Sequence, residues 1–180
     1  MNILKGIKKR IALYKLRKDY AKKKLNAVVC NLQNAKNVGI IYDATNEHEF
    51  KTVKNFVIEL KKEVPNVQTL GYVDKNDLDG FHLQPKEFGF FCKKEVNWYQ
   101  KPKEEAIEDF TNTDFDILID LQLIECIPLR FILAQSKAKF KVGRRPLRVD
   151  DFYDLMLEIN PYSSMSYFTE QVYIYLNMIK

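Results

Sequence analysis

Apolar and polar positions along this chain follow two periods, and the switches between them mark its elements. The densest stretch is Phe115 to Arg145, FDILIDLQLIECIPLRFILAQSKAKFKVGRR. The apolar run Ile117-Leu118-Ile119 stops at Asp120, a compact apolar segment follows, and Phe140-Lys141-Val142 stops at Gly143. This predicts a strand over 115–121, a crossover helix over 125–136 and a strand over 139–143. Together they form one βαβ unit of a parallel sheet.

A second unit precedes it. Asn37 to Asp43 (NVGIIYD) is β-branched and apolar on both faces, as buried parallel strands are. Thr45 and Asn46 suit a helix start, and Asn46-x-x-Glu49 resembles a capping box. Phe50, Val53, Phe56, Val57 and Leu60 then recur at helical spacing until Pro65. Val67 to Asp74 is the next strand, and Phe88 to Cys92 a third, short one beyond the loop-rich residues 75–87. Lys103 to Phe110 reads as a short acidic helix after the aromatic segment Val96 to Tyr99. Asp150 to Ile159 reads as an amphipathic helix. After a break at Pro161, residues 165–179 predict a terminal helix with Phe168, Val172, Tyr175 and Leu176 on one face. Such alternation predicts a Rossmann-like α/β three-layer sandwich with a mostly parallel sheet of about five strands over residues 37–180.

The leading residues differ. Ile3, Leu4, Ile7, Ile11 and Tyr14 form a narrow apolar stripe of a helix over 2–26, extended by Ala21 and Leu25, with Leu13, Leu16 and Tyr20 off it. Residues 27–36 fit either the end of that helix or an extended link. Lys5, Lys8, Lys9, Arg10, Lys15, Arg17, Lys18, Lys22, Lys23 and Lys24 share residues 1–26 with one acid, Asp19, a net charge of +9. The remaining 154 residues carry −4. A basic amphipathic helix on a mildly acidic domain points to a polyanionic partner. Like charges four residues apart repel by a few tenths of a kcal/mol per pair, which a polyanion relieves.

A second basic cluster comprises Lys137, Lys139, Lys141, Arg144, Arg145 and Arg148, within twelve residues free of acids. Lys139 and Lys141 alternate with Phe140 and Val142, so both are expected on one face of an edge-like strand. They serve either to protect that edge by charge or to contact phosphate.

Composition narrows the chemistry. The three cysteines, Cys30, Cys92 and Cys126, form no CxxC pair, and His48 and His82 are the only histidines, so no zinc site is expected. The thiols read as reduced and buried, with Cys126 opening a helix whose dipole favours a thiolate. Each histidine is a surface residue or a general base. Asp43, Asp74 and Asp120 each end a strand, where Asp starts turns and caps helices; side by side they would suit Mg²⁺ and phosphoryl transfer. No GxGxxG, GxxxxGK[ST] or GxSxG motif occurs. No cofactor or small-molecule ligand is signalled. The first residues lack the apolar core of a signal peptide and no run is long enough to cross a membrane, so a cytoplasmic protein is expected, or one peripheral to the inner membrane.

FDILIDLQLIECIPLRFILAQSKAKFKVGRR, VGIIYDATNEHEFKTVKNFVIELKK and FTEQVYIYLNMI resemble an uncharacterised small-domain family of Bacteroidota, over most of the chain after residue 25. That resemblance carries no catalytic residues with it. The FDILIDLQ…SKAKFKVG stretch is similar to the amino-terminal Rossmann-like half of heptosyltransferase-type glycosyltransferases, which implies the fold and not glycosyl transfer. The expected function is a non-enzymatic binding protein that sits on structured RNA, a ribosomal particle being the favoured instance. The alternatives are association with an anionic membrane or membrane complex, and a metal-dependent enzyme or degenerate glycosyltransferase-like domain acting on a phosphorylated substrate.

Overall fold

The structure, a computed structural model, describes residues 2–20, 27–85, 87–145 and 152–179. Six strands form one sheet: β1 (Asn37–Asp43), β2 (Asn66–Val73), β3 (Phe88–Cys92), β4 (Ile117–Asp120), β5 (Phe140–Arg144) and β6 (Leu155–Leu157). Their order is β3-β2-β1-β4-β5-β6, and every neighbouring pair is parallel. This is the doubly wound Rossmann order, whose topological switch point lies between β1 and β4. The helices are α1 (Asn2–Tyr20), α2 (Glu47–Leu60), α3 (Glu104–Asn112), α4 (Ile127–Gln135) and α5 (Met165–Met178).

The two faces of β1 show how the layers are built. Val38, Ile40 and Tyr42 join α2 (Phe50, Val53, Val57) and α5 (Phe168, Val172, Leu176) in one core. Ile41 points the other way and joins α3 (Ile107, Phe110) and α4 (Leu129, Ile132, Leu133) in the second. Alternation of period two against period 3.6 places these side chains. The Asn46 side chain accepts from His48 N and Glu49 N, which starts α2 as its sequence predicts.

Helix α4 is buried all round, Ile127 through Ala134. Its inner side covers the sheet and its outer side is covered by α1, through Ala12 and Leu16 packed on Ile127, Phe131 and Ala134. A helix apolar on all sides but for one buried arginine, Arg130, belongs inside, and α1 supplies the missing layer.

Three expectations need correction. The sheet has six strands, not about five. Within the amphipathic helix expected over 150–159, the described residues form β6 instead. Exposure there alternates with period two: Leu157 and Ile159 are buried while Met156 and Glu158 are exposed. Pairing with β5 satisfies backbone groups that an isolated helical turn would leave on the sheet's rim. Consequently β5 is an internal strand, not an edge. Lastly, α1 docks by Ala12 and Leu16 rather than by its expected stripe, which leaves Leu4 (67% exposed), Ile7 (47%) and Tyr14 (65%) facing solvent. Ala12 lets the two helices approach closely.

Candidate functional site

Helix α1 presents three faces. Ala12 and Leu16 are buried against α4. Lys9, Arg10, Leu13 and Arg17 lie along a cavity beside that contact. The outer face carries Lys8, Lys15 and Lys18 with Leu4, Ile7 and Tyr14. Lys8, Lys9, Arg10, Lys15, Arg17 and Lys18 are all exposed. Among the described residues, Lys9 alone of these six forms an ion pair, with Glu125 at 2.5 Å. Lys22, Lys23, Lys24 and Arg148 lie outside the described residues, as does the side chain of Lys5.

An exposed tryptophan neighbours a residue packed on this helix pair. Val96 and Pro102 close a small loop whose Asn97 side chain accepts from Tyr99 N and Lys101 N. Tyr99 packs on the α1–α4 cluster, and Trp98 beside it is 60% exposed. Nothing in the sequence pattern distinguished Trp98 from a core aromatic.

The second basic cluster is divided by β5. Lys139 pairs with Asp116 at 2.8 Å, near the amino ends of the strands. Asp116 also accepts from Lys36 N and Asn37 N, so its carboxyl is held below the usual range despite partial burial. Lys141 is turned under α4, where its Nζ donates to Leu133 O at 2.8 Å and burial pushes its pKa down to about 8. Lys137 and Arg145 are exposed. Arg144 ends β5 and joins the cations of α1 in the cavity.

That cavity, about 570 Å³, opens at the carboxyl ends of β4 and β5. Among the described residues its cations are Lys9, Arg10, Arg17, Arg130 and Arg144, and its one carboxylate is Glu125. Leu13, Leu16 and Phe152 give it an apolar wall. Arg130 is only 3% exposed, with its guanidinium 5.5 Å from the Phe152 ring centre and 5.6 Å from that of Tyr153. Stacking on aromatic faces suits a guanidinium, which is weakly hydrated. Tyr153 OH donates to Asp120 Oδ2 at 2.7 Å and accepts from Arg130 at 3.4 Å. Gly143 permits this arrangement, since a Cβ there would lie 2.4 Å from the Tyr153 ring.

The three strand-end carboxylates are held locally. Asp43 accepts from Thr45 N at 2.9 Å, and Asp74 pairs with Lys93 at 3.1 Å and accepts from Tyr72 OH at 3.2 Å. Asp120 accepts from Gln122 N, Gln122 Nε2 and Tyr153 OH. Burial raises the Asp120 pKa, opposed by those hydrogen bonds and by the charge of Arg130. Among the described residues, no group of three or more His, Cys, Asp or Glu is placed to hold a metal ion. Burial, reinforced by the charges of Asp43, Asp120 and Asp74, pushes the Cys126 thiol far up, which opposes the thiolate that a helix start would favour.

His48 is exposed, but His82 is buried and structural, contrary to a surface role. Its Nδ1 accepts from Asp79 N at 2.9 Å, so Nε2 carries the proton and donates to Ala44 O at 2.9 Å. The bond to Ala44 runs between residues 38 apart, which no local pattern announces.

A parallel sheet in the order 3-2-1-4-5-6, layered by helices, defines a Rossmann-like α/β protein. The chain belongs to a family of unknown function, DUF6913, whose profile matches residues 8–179. Among solved structures it is similar to the E. coli heptosyltransferase WaaC with ADP, at a TM-score of 0.51 and 13% identity. The likeness covers 80% of this chain and 48% of that one, so this chain spans about half of the glycosyltransferase's length. It shows the fold. No curated protein matches. No helix among the described residues is long and apolar enough to cross a membrane.

Proposed function

We propose that this protein is a non-enzymatic binding protein that engages structured RNA, such as that of a ribosomal particle, through α1. The observation that carries this reading is a helix fixed on a rigid domain with six exposed cations, one of them paired among the described residues. A docked helix meets a polyanion without first being ordered, so little conformational entropy opposes binding. Arg10 and Arg17 suit bidentate phosphate contacts, while Lys8, Lys15 and Lys18 add point charges. Trp98 adds an aromatic surface of the kind on which unpaired bases stack.

The test is affinity for a structured RNA as a function of salt. Deleting the helix is a poor variant, because it would bare Ile127 and Phe131. Charge reversal of the outer face (K8E/K15E/K18E) leaves the α4 contact intact. Loss of three phosphate contacts should lower the slope of log affinity against log salt by roughly 2–3. An unchanged slope would remove the proposal.

Exposed Leu4, Ile7 and Tyr14 favour a second reading, association with an anionic membrane surface. Three apolar side chains over about five turns are few for a helix that must sink into a bilayer, so RNA is preferred. Flotation with anionic vesicles, lost on Leu4→Asp and Ile7→Asp, would reverse the preference.

A further inference from the structure

We propose that the cavity between α1 and the carboxyl ends of β4 and β5 binds a small molecule carrying a phosphate group on an apolar body. Its volume of about 570 Å³ falls within the range of about 300–1,000 Å³ of small-molecule sites. It lies at the carboxyl ends of parallel strands, where open α/β sheets take ligands. Among the described residues, Lys9, Arg10, Arg17, Arg130 and Arg144 line it with one carboxylate, Glu125, which is already paired with Lys9.

The geometry is preorganised rather than merely basic. The Arg130 guanidinium lies over two aromatic rings, Phe152 and Tyr153, and Tyr153 is anchored by Asp120. Arg144 donates to Ile159 O at 3.5 Å, while its buried Nε has no hydrogen-bond partner among the described residues. Arg10, Arg17 and Arg144 line the cavity and form no ion pair among the described residues, so a bound anion would supply their counter-charge. A phosphate offers several acceptor oxygens and matches the planar guanidinium fork. Leu13, Leu16 and Phe152 fit an apolar or planar body and not a bare anion.

This site shares Arg10 and Arg17 with the cationic surface of α1 but not Lys8, Lys15 and Lys18, so reversing those three charges separates the two proposals. Full-length protein would be titrated by calorimetry with inorganic pyrophosphate, with AMP, and with dihexanoyl phosphatidic acid below its micelle concentration. These separate an inorganic, a nucleotide and a lipid source of the same phosphate chemistry. The expected result is saturable one-to-one binding of AMP or the short-chain lipid, at least tenfold tighter than pyrophosphate. Arg144→Gln should weaken it at least tenfold. Arg10→Gln, on the exposed helix and harmless to the core, should weaken it about three- to tenfold. K8E/K15E/K18E should leave it within about twofold. Absence of saturable binding by every probe would overturn the proposal. So would binding that survives Arg144→Gln and Arg10→Gln but is lost in the triple reversal, because it would then belong to the outer face.

Discussion

The carboxyl edge of the sheet treats its polar groups differently on the two sides of the switch point. On the β1–β2 side, Asp43, Asp74 and His82 hold turns: each side chain is matched to a nearby backbone group or to a side chain of the same edge. On the β4–β5 side, Asp120 and Tyr153 also form a closed pair, but they brace Arg130 at the wall of a cavity. One side is closed by its own hydrogen bonds, while the other sets Arg10, Arg17 and Arg144 along a space whose one carboxylate among the described residues is Glu125. Polar groups that satisfy one another stabilise a fold, whereas groups of one sign held together mark a place for something else.

The largest way to disturb this contrast is at the seat of α1. Phe131→Ala empties a fully buried ring position between the sheet layer and α1, and should cost about 3–5 kcal/mol in urea denaturation. It should also weaken RNA and phosphate binding together, because both depend on where α1 lies.

Lys141 gives a pH-dependent test. Its ammonium has a folded pKa of about 8, against about 10.4 for an unperturbed lysine. Below pH 8 the group is charged in both states and the desolvation penalty is fully present. Between about pH 8 and 10.4 the folded state gives up its proton first, so stability should rise with pH, by up to about 2–3 kcal/mol. Lys141→Met should abolish that rise.

On the closed side, His82→Ala leaves Asp79 N and Ala44 O without their partner and should cost about 2 kcal/mol. Phosphate binding should stay within about twofold. On the open side, Gly143→Ala displaces Tyr153 and should cost about 1–2 kcal/mol. Phosphate binding should then fall severalfold because the Tyr153 ring under Arg130 shifts. Equal effects of these two variants on binding would erase the distinction between the sides.

The parts legible in the sequence are those with local causes. NVGIIYD reads as a buried strand because both its faces are covered, and Asn46 caps α2 where its side chain was expected to. Ile127 to Ala134 is apolar apart from Arg130 because two layers bury it, but the sequence does not say that α1 is the second layer. Helix α1 carries apolar residues on several sides. The shape of α4 chooses Ala12 and Leu16 over the longer stripe, and periodicity cannot foresee that choice. Leu155 to Leu157 was obscured because three residues fit either period, and pairing with β5 decides. The cavity draws on α1, the loop after β4, the end of β5 and Pro161, segments that only the fold brings together.

The most direct test of the account is RNA recovery with the full-length protein from cell lysate, at low and high salt, compared with K8E/K15E/K18E. The account predicts RNA with the native protein at low salt, its loss at high salt, and at least tenfold less with the variant. Equal recovery by both proteins, or none by either, would contradict it.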